Sequence, residues 1–250
     1  MTAGAPVVPG AVPLDVPATV PASGDRRRHP APAHLRFFHG PMDCGKSTLA
    51  LQVDHNQSRQ GRHGLLLTQG DRSAAPQISS RVGLRREAAE ITADVDLRVF
   101  VRDRWAAGHR VDYLIVDEAQ FLGPAQVDQL AELVDESHVD VYAFGLTTDF
   151  RAQLFPGTRR LLEVADDVQR IQVEVLCWCG QPGLLNARVV DEVMVREGAT
   201  VVVADTGPAG VPGAPDGGGP PAVRYQVLCR RHHVRGELGP TIAGPGQLAL

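Results

Sequence analysis

The sequence predicts an α/β protein in which a parallel sheet flanked by helices is followed by a small second module. Three features of the 250-residue chain support this prediction. A glycine-rich loop joins an apolar strand to a helix, strands alternate with helical patterns as far as residue 172, and three of the four cysteines come later. Alternating strands and helices are typical of a parallel sheet covered on both faces.

The predicted elements follow one another in the order that such a sheet requires. A short apolar strand, Leu35–His39, leads into the loop, and no Gly or Pro interrupts the helical pattern from Lys46 to about Gln60. Beyond it we expect, in chain order, a strand at Gly64–Thr68, a helix at Val95–Ala107, a strand at Tyr113–Val116, a helix opened by Gly123-Pro124, a strand at Val139–Leu146 and a short helix containing Leu161, Leu162 and Val164.

After about Gln172 the pattern changes to short strands, which predicts a separate module. We expect these strands at Val173–Leu176, Thr200–Ala204 and Val223–Leu228. The predicted organisation is a disordered Pro/Ala-rich extension at 1–33, the α/β domain at 34–172, the second module at 173–236 with a flexible insertion at 206–221, and a tail at 237–250.

The glycine-rich loop has the spacing G-x-x-x-x-G-K-S of a phosphate-binding loop. Its lysine, Lys46, is the only lysine in the chain. A planar guanidinium cannot replace a slim ammonium that lies along a phosphate chain. The sequence therefore predicts a P-loop sheet that binds ATP, although a chance match in a glycine-rich chain is the alternative. The residues expected at the phosphates are Gly40, Pro41, Met42, Asp43, Cys44, Gly45, Lys46, Ser47 and Thr48.

A second acidic element follows the buried strand Tyr113–Val116. Asp117 and Glu118 stand at the strand's carboxyl end, where ligands bind in open parallel sheets. We expect Ser47 and Asp117 to hold Mg²⁺ and Glu118 to take a proton from an attacking oxygen. The alternative is an acidic pair on the surface.

Composition argues against nucleic-acid-binding, membrane-spanning and secreted classes of protein. The net charge of −4 argues against a broad nucleic-acid-binding face, and no apolar run approaches membrane-spanning length. The amino terminus, interrupted by prolines, does not resemble a secretory signal. Four cysteines without an export signal favour metal ligation or free thiols over disulfides, and a cytoplasmic location is expected.

Two residue pairs in the second module have the donors of a structural zinc site. Cys177 and Cys179 form one pair, and Cys229 and His232 form the other, with His233 as a competitor for the fourth position. Two pairs of soft or borderline donors match a tetrahedral Zn²⁺. Buried free thiols are the alternative.

Three segments resemble the type II thymidine kinases: Gly40-Pro41-Met42, Asp117-Glu118-Ala119-Gln120-Phe121 and the stretch from Gly145 to Arg151. The resemblance implies a P-loop domain followed by a zinc-bearing lasso that closes over the nucleoside. It implies transfer of the ATP γ-phosphoryl group to the 5′-hydroxyl of thymidine, with deoxyuridine as a further acceptor, in pyrimidine salvage for DNA synthesis. A homotetramer is also implied.

The resemblance assigns roles to individual residues. Glu118 matches the general base, and Lys46, Ser47 and Asp117 match the phosphate and magnesium groups. The zinc pairs match the base of the lasso, although the first pair is C-x-C where the family has C-x-x-C. Asp71-Arg72 match a phosphate-proximal pair with altered spacing. The residues that the resemblance places around the nucleoside are Met42, Phe121, Leu146, Phe150, Asn186 and Tyr225.

Two other classes of protein stay open at this point. A nucleic-acid-stimulated ATPase with a zinc ribbon would also contain Asp-Glu-Ala-Gln and Cys/His pairs, but the negative net charge and the lack of a second core domain argue against it. A non-catalytic nucleotide sensor is disfavoured by the complete set of Lys46, Ser47, Asp117 and Glu118.

Overall fold

The computed structural model describes residues 32–69, 76–80, 82–199 and 223–240, and eleven strands lie within these ranges. The strands are β1 (Leu35–Gly40), β2 (Gly64–Thr68), β3 (Gln77–Ser79), β4 (Arg85–Glu87), β5 (Ala89–Glu90), β6 (Tyr113–Val116), β7 (Asp140–Leu146), β8 (Asp167–Arg170), β9 (Leu185–Val190), β10 (Val193–Val195) and β11 (Val223–Leu228). Six of them form a parallel sheet in the order β5-β2-β6-β7-β1-β8.

Five helices lie within the described ranges, together with one short 3₁₀ turn at Ala119–Phe121. The helices are α1 (Lys46–Arg59), α2 (Leu97–Ala106), α3 (Pro124–Ser137), α4 (Pro156–Val164) and α5 (Arg230–Arg235). Their starts follow local sequence signals. The Asp96 carboxylate accepts from the backbone amides of Arg98 and Val99 at the start of α2, and Pro124 occupies the first turn of α3.

Side chains of the central strands alternate between the two faces of the sheet, so the core has two layers. In β6, Leu114 and Val116 pack with residues of α2 and α3, whereas Tyr113 and Ile115 pack with residues of α1. Successive side chains of a strand point to opposite faces, so a continuous apolar strand is buried on both. All four residues of β6 are fully buried, which holds the strand end in a fixed position.

Two smaller sheets complete the described structure. Strands β10, β9 and β11 form an antiparallel sheet in that order, and β3 pairs with β4 in an antiparallel hairpin. Of the residues expected at the zinc site, Cys177 and Cys179 lie in the irregular segment before β9, Cys229 directly precedes α5, and His232 and His233 lie in α5. Among the described residues, no helix is long and apolar enough to cross a membrane.

The sequence predictions for the main sheet are confirmed: its expected strands and helices are present within a few residues. The predicted strand at Val173–Leu176 is wrong. That segment makes only one isolated bridge, from Leu176 to Pro182, and Val173 and Leu176 are more than half exposed, so no apolar surface covers them. The strand lies instead at β9, which the sequence analysis missed together with β5, β8, β10 and the β3–β4 hairpin.

Several predictions fall outside the described residues. They concern most of the extension at 1–33, the pair Asp71-Arg72, the strand at Thr200–Ala204, the insertion at 206–221 and the end of the tail at 237–250.

Candidate active site

The glycine loop, Gly40–Ser47, leaves the carboxyl end of β1 and turns directly into α1. Asp43 and Gly45 both have positive φ angles, 67° and 82°, which orient the loop around the start of the helix. A side chain at Gly40 would place its Cβ 2.5 Å from the Cys44 sulfur, so only glycine fits there. The helix amino terminus and the loop amides form the environment that binds phosphate in such loops.

The Lys46 ammonium lies inside this loop. Its Nζ donates to the Pro41 carbonyl at 2.8 Å, and the residue is 8% exposed. A buried ammonium with one backbone acceptor retains further donors for an anion. The loop therefore supplies a fixed positive charge at the carboxyl edge of the sheet.

The loop meets the acidic element through a single hydrogen bond. Ser47 Oγ donates to Asp117 Oδ2 at 2.8 Å, which joins the first turn of α1 to the end of β6. Burial raises the pKa of the Asp117 carboxyl, and the Glu118 carboxylate next to it raises it further, to about 6. The Ser47 hydroxyl and the buried Asp117 carboxylate are oxygen donors of the kind that Mg²⁺ prefers.

Glu118 has an unusual backbone conformation. Its φ is 54°, in the left-handed region that a residue with a side chain rarely adopts outside constrained sites. The Glu118 amide donates to Asp117 Oδ1 at 3.0 Å, and the chain then enters the 3₁₀ turn. Within the described residues, Glu118 Oε1 makes no recorded hydrogen bond, so it is the oxygen left for another group.

Gln120 holds the other oxygen of Glu118, a contact that the sequence analysis did not anticipate. Gln120 Nε2 donates to Glu118 Oε2, and Gln120 Oε1 accepts from the Leu146 amide at 2.9 Å. Because the Leu146 amide can only donate, it fixes which end of the Gln120 amide faces Glu118. The side chain of Gln120 is buried, and it ties the turn to the end of β7.

The start of α4 packs directly against the same turn. A Cβ at Gly157 would lie 2.5 Å from the Leu122 carbonyl and 3.0 Å from the Gln120 carbonyl, so the helix approaches at backbone distance. Thr158 Oγ1 donates to the Leu146 carbonyl at 2.7 Å. The Glu118 turn is therefore clamped between β7 and α4.

Four of the predicted nucleoside residues are connected across the two sheets. The Met42 amide donates to Asn186 Oδ1 at 2.9 Å, which links the glycine loop to β9. Phe150 and Tyr225 lie against the same buried guanidinium, that of Arg188 in β9, with the Arg188 carbon 3.8 Å from the Phe150 ring centroid and 5.6 Å from that of Tyr225.

Arg188 is the second site residue that sequence reasoning missed. It is 3% exposed, and its Nε donates to Tyr225 Oη at 3.0 Å while Nη1 donates to the Ala199 carbonyl at 2.7 Å. A single charged residue in a short strand, Arg188 in β9, was the available signal. Its aromatic partners lie 37 and 38 residues away, so the sequence gives no indication of the stack.

The remaining two predicted nucleoside residues lie on the sheet side. Leu146 is buried at the end of β7, where its amide binds Gln120. Phe121 is half-buried and packs edge-on against Phe155, with ring centroids 5.6 Å apart. Both therefore flank the Glu118 turn.

The predicted zinc residues form one cluster. The donor atoms of Cys177, Cys179, Cys229 and His232 all lie within 4.8 Å of one another. His232 Nδ1 is 3.3 Å from Cys177 Sγ and 3.5 Å from Cys229 Sγ, and the Cys179 and Cys229 sulfurs are 4.0 Å apart. Zn–S bonds of about 2.3 Å place tetrahedral sulfurs about 3.8 Å apart, so the donors fit zinc despite the C-x-C spacing.

The surroundings of the cluster also suit a metal. The His232 amide beside the thiol lowers the pKa of Cys229 and so favours the thiolate that binds metal. The Trp178 ring stacks on His232, and His232 Nε2 lies 3.5 Å from a Glu237 carboxylate oxygen, which can orient the imidazole. His233 takes a different role, because its Nε2 bonds the Phe150 carbonyl at 3.0 Å.

The parallel sheet, the glycine loop and the adjacent carboxylates are typical of the P-loop α/β class, which includes ATP-dependent kinases. Residues 33–204 match a family model described as thymidine kinase. The chain belongs to the thymidine kinase family.

Curated relatives described as thymidine kinases come from several different organisms. The thymidine kinase of Streptomyces coelicolor is 54% identical over 201 residues, which cover 80% of this chain and 88% of the relative. That of Cutibacterium acnes is 50% identical over 83% of this chain and 91% of the relative. That of Enterobacteria phage T4 is 36% identical over 80% of this chain and 95% of the relative.

Replacement of one cluster cysteine tests the metal site. We expect purified protein to contain about one zinc per chain and Cys177→Ser to lose most of it, because three donors bind the ion far more weakly than four. Cys44→Ser is the matched control, since that thiol lies in the glycine loop and should leave the zinc content unchanged. Elemental analysis gives the zinc content, and equal zinc in all three proteins would contradict the assignment.

Proposed function

We propose that the protein is a working thymidine kinase that transfers the γ-phosphoryl group of ATP to the 5′-hydroxyl of thymidine, with deoxyuridine as a second acceptor. The family supports the reaction. The observation that carries the assignment of residues is the Glu118 turn, in which a carboxylate with one uncommitted oxygen follows the Ser47–Asp117 pair directly. The domain bounds 34–172 and 173–236 are part of the proposal.

The glycine loop binds the phosphates of ATP in this proposal. Lys46 neutralises charge on the transferred group, and the loop amides from Met42 to Thr48 orient the phosphate oxygens. Ser47 and Asp117 are the residues that would hold Mg²⁺, which neutralises phosphate charge when bound. Phosphoryl transfer asks little covalent chemistry of a protein, so this positioning provides most of the catalysis.

The thymine ring lies among the predicted nucleoside residues: Met42, Phe121, Leu146, Phe150, Asn186 and Tyr225. Apolar and aromatic groups suit a flat base with a methyl group. Arg188 serves as a support, since its stack with Phe150 and its bond to Tyr225 hold both rings. The zinc residues fix the base of the lasso next to this site, through the His233 bond to Phe150.

Glu118 accepts the proton of the 5′-hydroxyl as the oxygen attacks the γ-phosphorus. Oε1 is the accepting atom in this proposal, because Gln120 occupies Oε2. The bond from Gln120 holds the carboxylate in one orientation, which positions Oε1 to accept the proton.

The wider assignments rest on the family resemblance and, for the location and the absence of a nucleic-acid partner, on composition. They are a homotetramer, a cytoplasmic location, a role in pyrimidine salvage and no nucleic-acid partner. A P-loop zinc-ribbon ATPase would hydrolyse ATP in response to single-stranded DNA, whereas a thymidine kinase transfers phosphate to a nucleoside.

Loss of the general base gives the most direct test of this mechanism. We expect Glu118→Gln to lower kcat for thymidine at least about a hundredfold, the usual scale for general-base catalysis, while ATP affinity stays nearly unchanged. Transfer of labelled phosphate from ATP to four deoxynucleosides measures both rate and acceptor choice. Glu136→Gln, at an exposed position on α3, is the control. Full turnover in the Glu118 variant would remove that residue from the mechanism, and labelling of no nucleoside by wild type would overturn the function.

Substitution of Gln120 tests separately whether this residue positions the Glu118 carboxylate. Gln120→Met keeps the bulk but removes both hydrogen bonds, so we expect kcat to fall about tenfold while KM for thymidine changes less than about threefold. Gln120→Glu should be worse, because a second carboxylate then faces Glu118. Gln126→Met is the matched control: Gln126 is also buried and bonds only the backbone carbonyls of Thr92 and Val95 and the Gly123 amide.

Steady-state kinetics and thermal unfolding distinguish the two outcomes for the glutamine variants. The Gln126 variant should lose stability and keep kcat. An equal loss of kcat in the two methionine variants would show that Gln120 acts only through folding.

A further inference from the structure

A cationic cleft lies at the amino ends of the strands of the main sheet, whereas the glycine loop lies at their carboxyl ends. It has a volume of about 500 Å³ and opens where β2 and β6 begin, between the end of α1 and the end of α2. Strand β6 separates it from Asp117 by roughly 13 Å, at about 3.3 Å per residue. The ionisable residues that line it are all basic in type: Arg62, His63, Arg86, Arg104, His109 and Arg110.

One of these arginines is held rigidly. Arg62 Nη1 donates to Gln57 Oε1 at 2.7 Å, while Nη2 donates to the Asp112 carbonyl at 2.9 Å and to Asp140 Oδ2 at 2.7 Å. Its side chain is 28% exposed. The guanidinium therefore keeps its position without a ligand, and it forms a fixed wall of the cleft.

Two other arginines bind aspartates through the inner nitrogen only. Arg86 Nε lies 3.0 Å from Asp54 Oδ2, and Arg110 Nε donates to Asp112 Oδ1 at 2.8 Å. Among the described residues, the terminal amino groups of both side chains have no recorded hydrogen bond. These terminal groups form the paired donors that bind phosphate or carboxylate in a bidentate manner.

Arg104 has no acidic partner within the described part of the chain. Its guanidinium lies 5.2 Å from the Phe100 ring centroid, a contact that leaves its donors available. Arg36 also bonds Asp140, so four arginines share three aspartates around the cleft, and Arg104 adds a fifth positive charge. The arginines therefore outnumber these aspartates by two, and neither histidine is included in that count. Like charges that are held close together repel one another.

We infer that this cleft is a second binding site, for a small anion that carries several phosphate groups. The volume lies within the range of ligand pockets, and the open donors are arginine forks, which match phosphate oxygens better than a single point charge does. An anion there would offset the excess positive charge. The site lies at the amino ends of the strands, so it is separate from the ATP site at their carboxyl ends, and the inference does not depend on the proposed reaction.

Calorimetric titration with inorganic tripolyphosphate, without added metal, tests this site. A full-length Lys46→Met protein is used so that the glycine loop contributes little. In that background the pair Arg104→Gln with Arg110→Gln removes two cleft charges. The pair Arg102→Gln with Arg159→Gln is the matched control, since it removes the same charge from exposed positions outside the cleft. Thermal unfolding checks that each variant is folded.

We expect saturable binding in the Lys46→Met protein, a Kd at least about tenfold higher in the cleft pair, and a Kd within about twofold of the parent in the control pair. No saturable binding, or equal weakening in both pairs, would overturn the inference. A parallel titration with ATP identifies the source of the anion. Tighter binding of ATP than of tripolyphosphate would indicate a nucleotide, and equal binding would indicate that the phosphate chain alone is recognised.

Discussion

The proposed active site depends on the hydrogen bond between Ser47 and Asp117. It joins the first turn of α1 to the end of β6, and these two elements carry the phosphate loop and the acidic pair. Both ends are fixed by the core, because β6 is buried on both faces and α1 packs over one of them. The same strand ending fixes Glu118, whose left-handed backbone starts the turn that Gln120 and Gly157 hold in place.

The small sheet is connected to this edge by specific polar contacts. Asn186 in β9 bonds the Met42 amide, and His233 in α5 bonds the Phe150 carbonyl. The Cys/His cluster lies at the start of α5, so a metal bound there would hold that helix close to β9 and β11. A bound metal would add stability to a region whose own core of Cys177, Ala187, Leu228 and Cys229 is small.

The main sheet could be predicted from sequence because its signals are local. The glycine loop is followed at once by α1, and a four-residue apolar run is followed by Asp117. The small sheet could not be predicted in the same way. Val173–Leu176 has strand-forming residues but no partner, whereas β9 contains Asn186 and Arg188, which look unsuitable until Met42, Phe150 and Tyr225 are placed beside them. Long-range contacts of this kind leave no periodic pattern.

Magnesium-dependent binding of a non-hydrolysable ATP analogue tests the central claim most directly, because the claim is that Ser47 and Asp117 together hold the ion against the triphosphate. In the wild-type protein we expect Mg²⁺ to tighten binding at least about tenfold, and in Asp117→Asn by less than about threefold, since the amide carries no charge to hold the ion. Calorimetry with and without Mg²⁺ measures both values. The same magnesium-dependent gain in the two proteins would contradict the account.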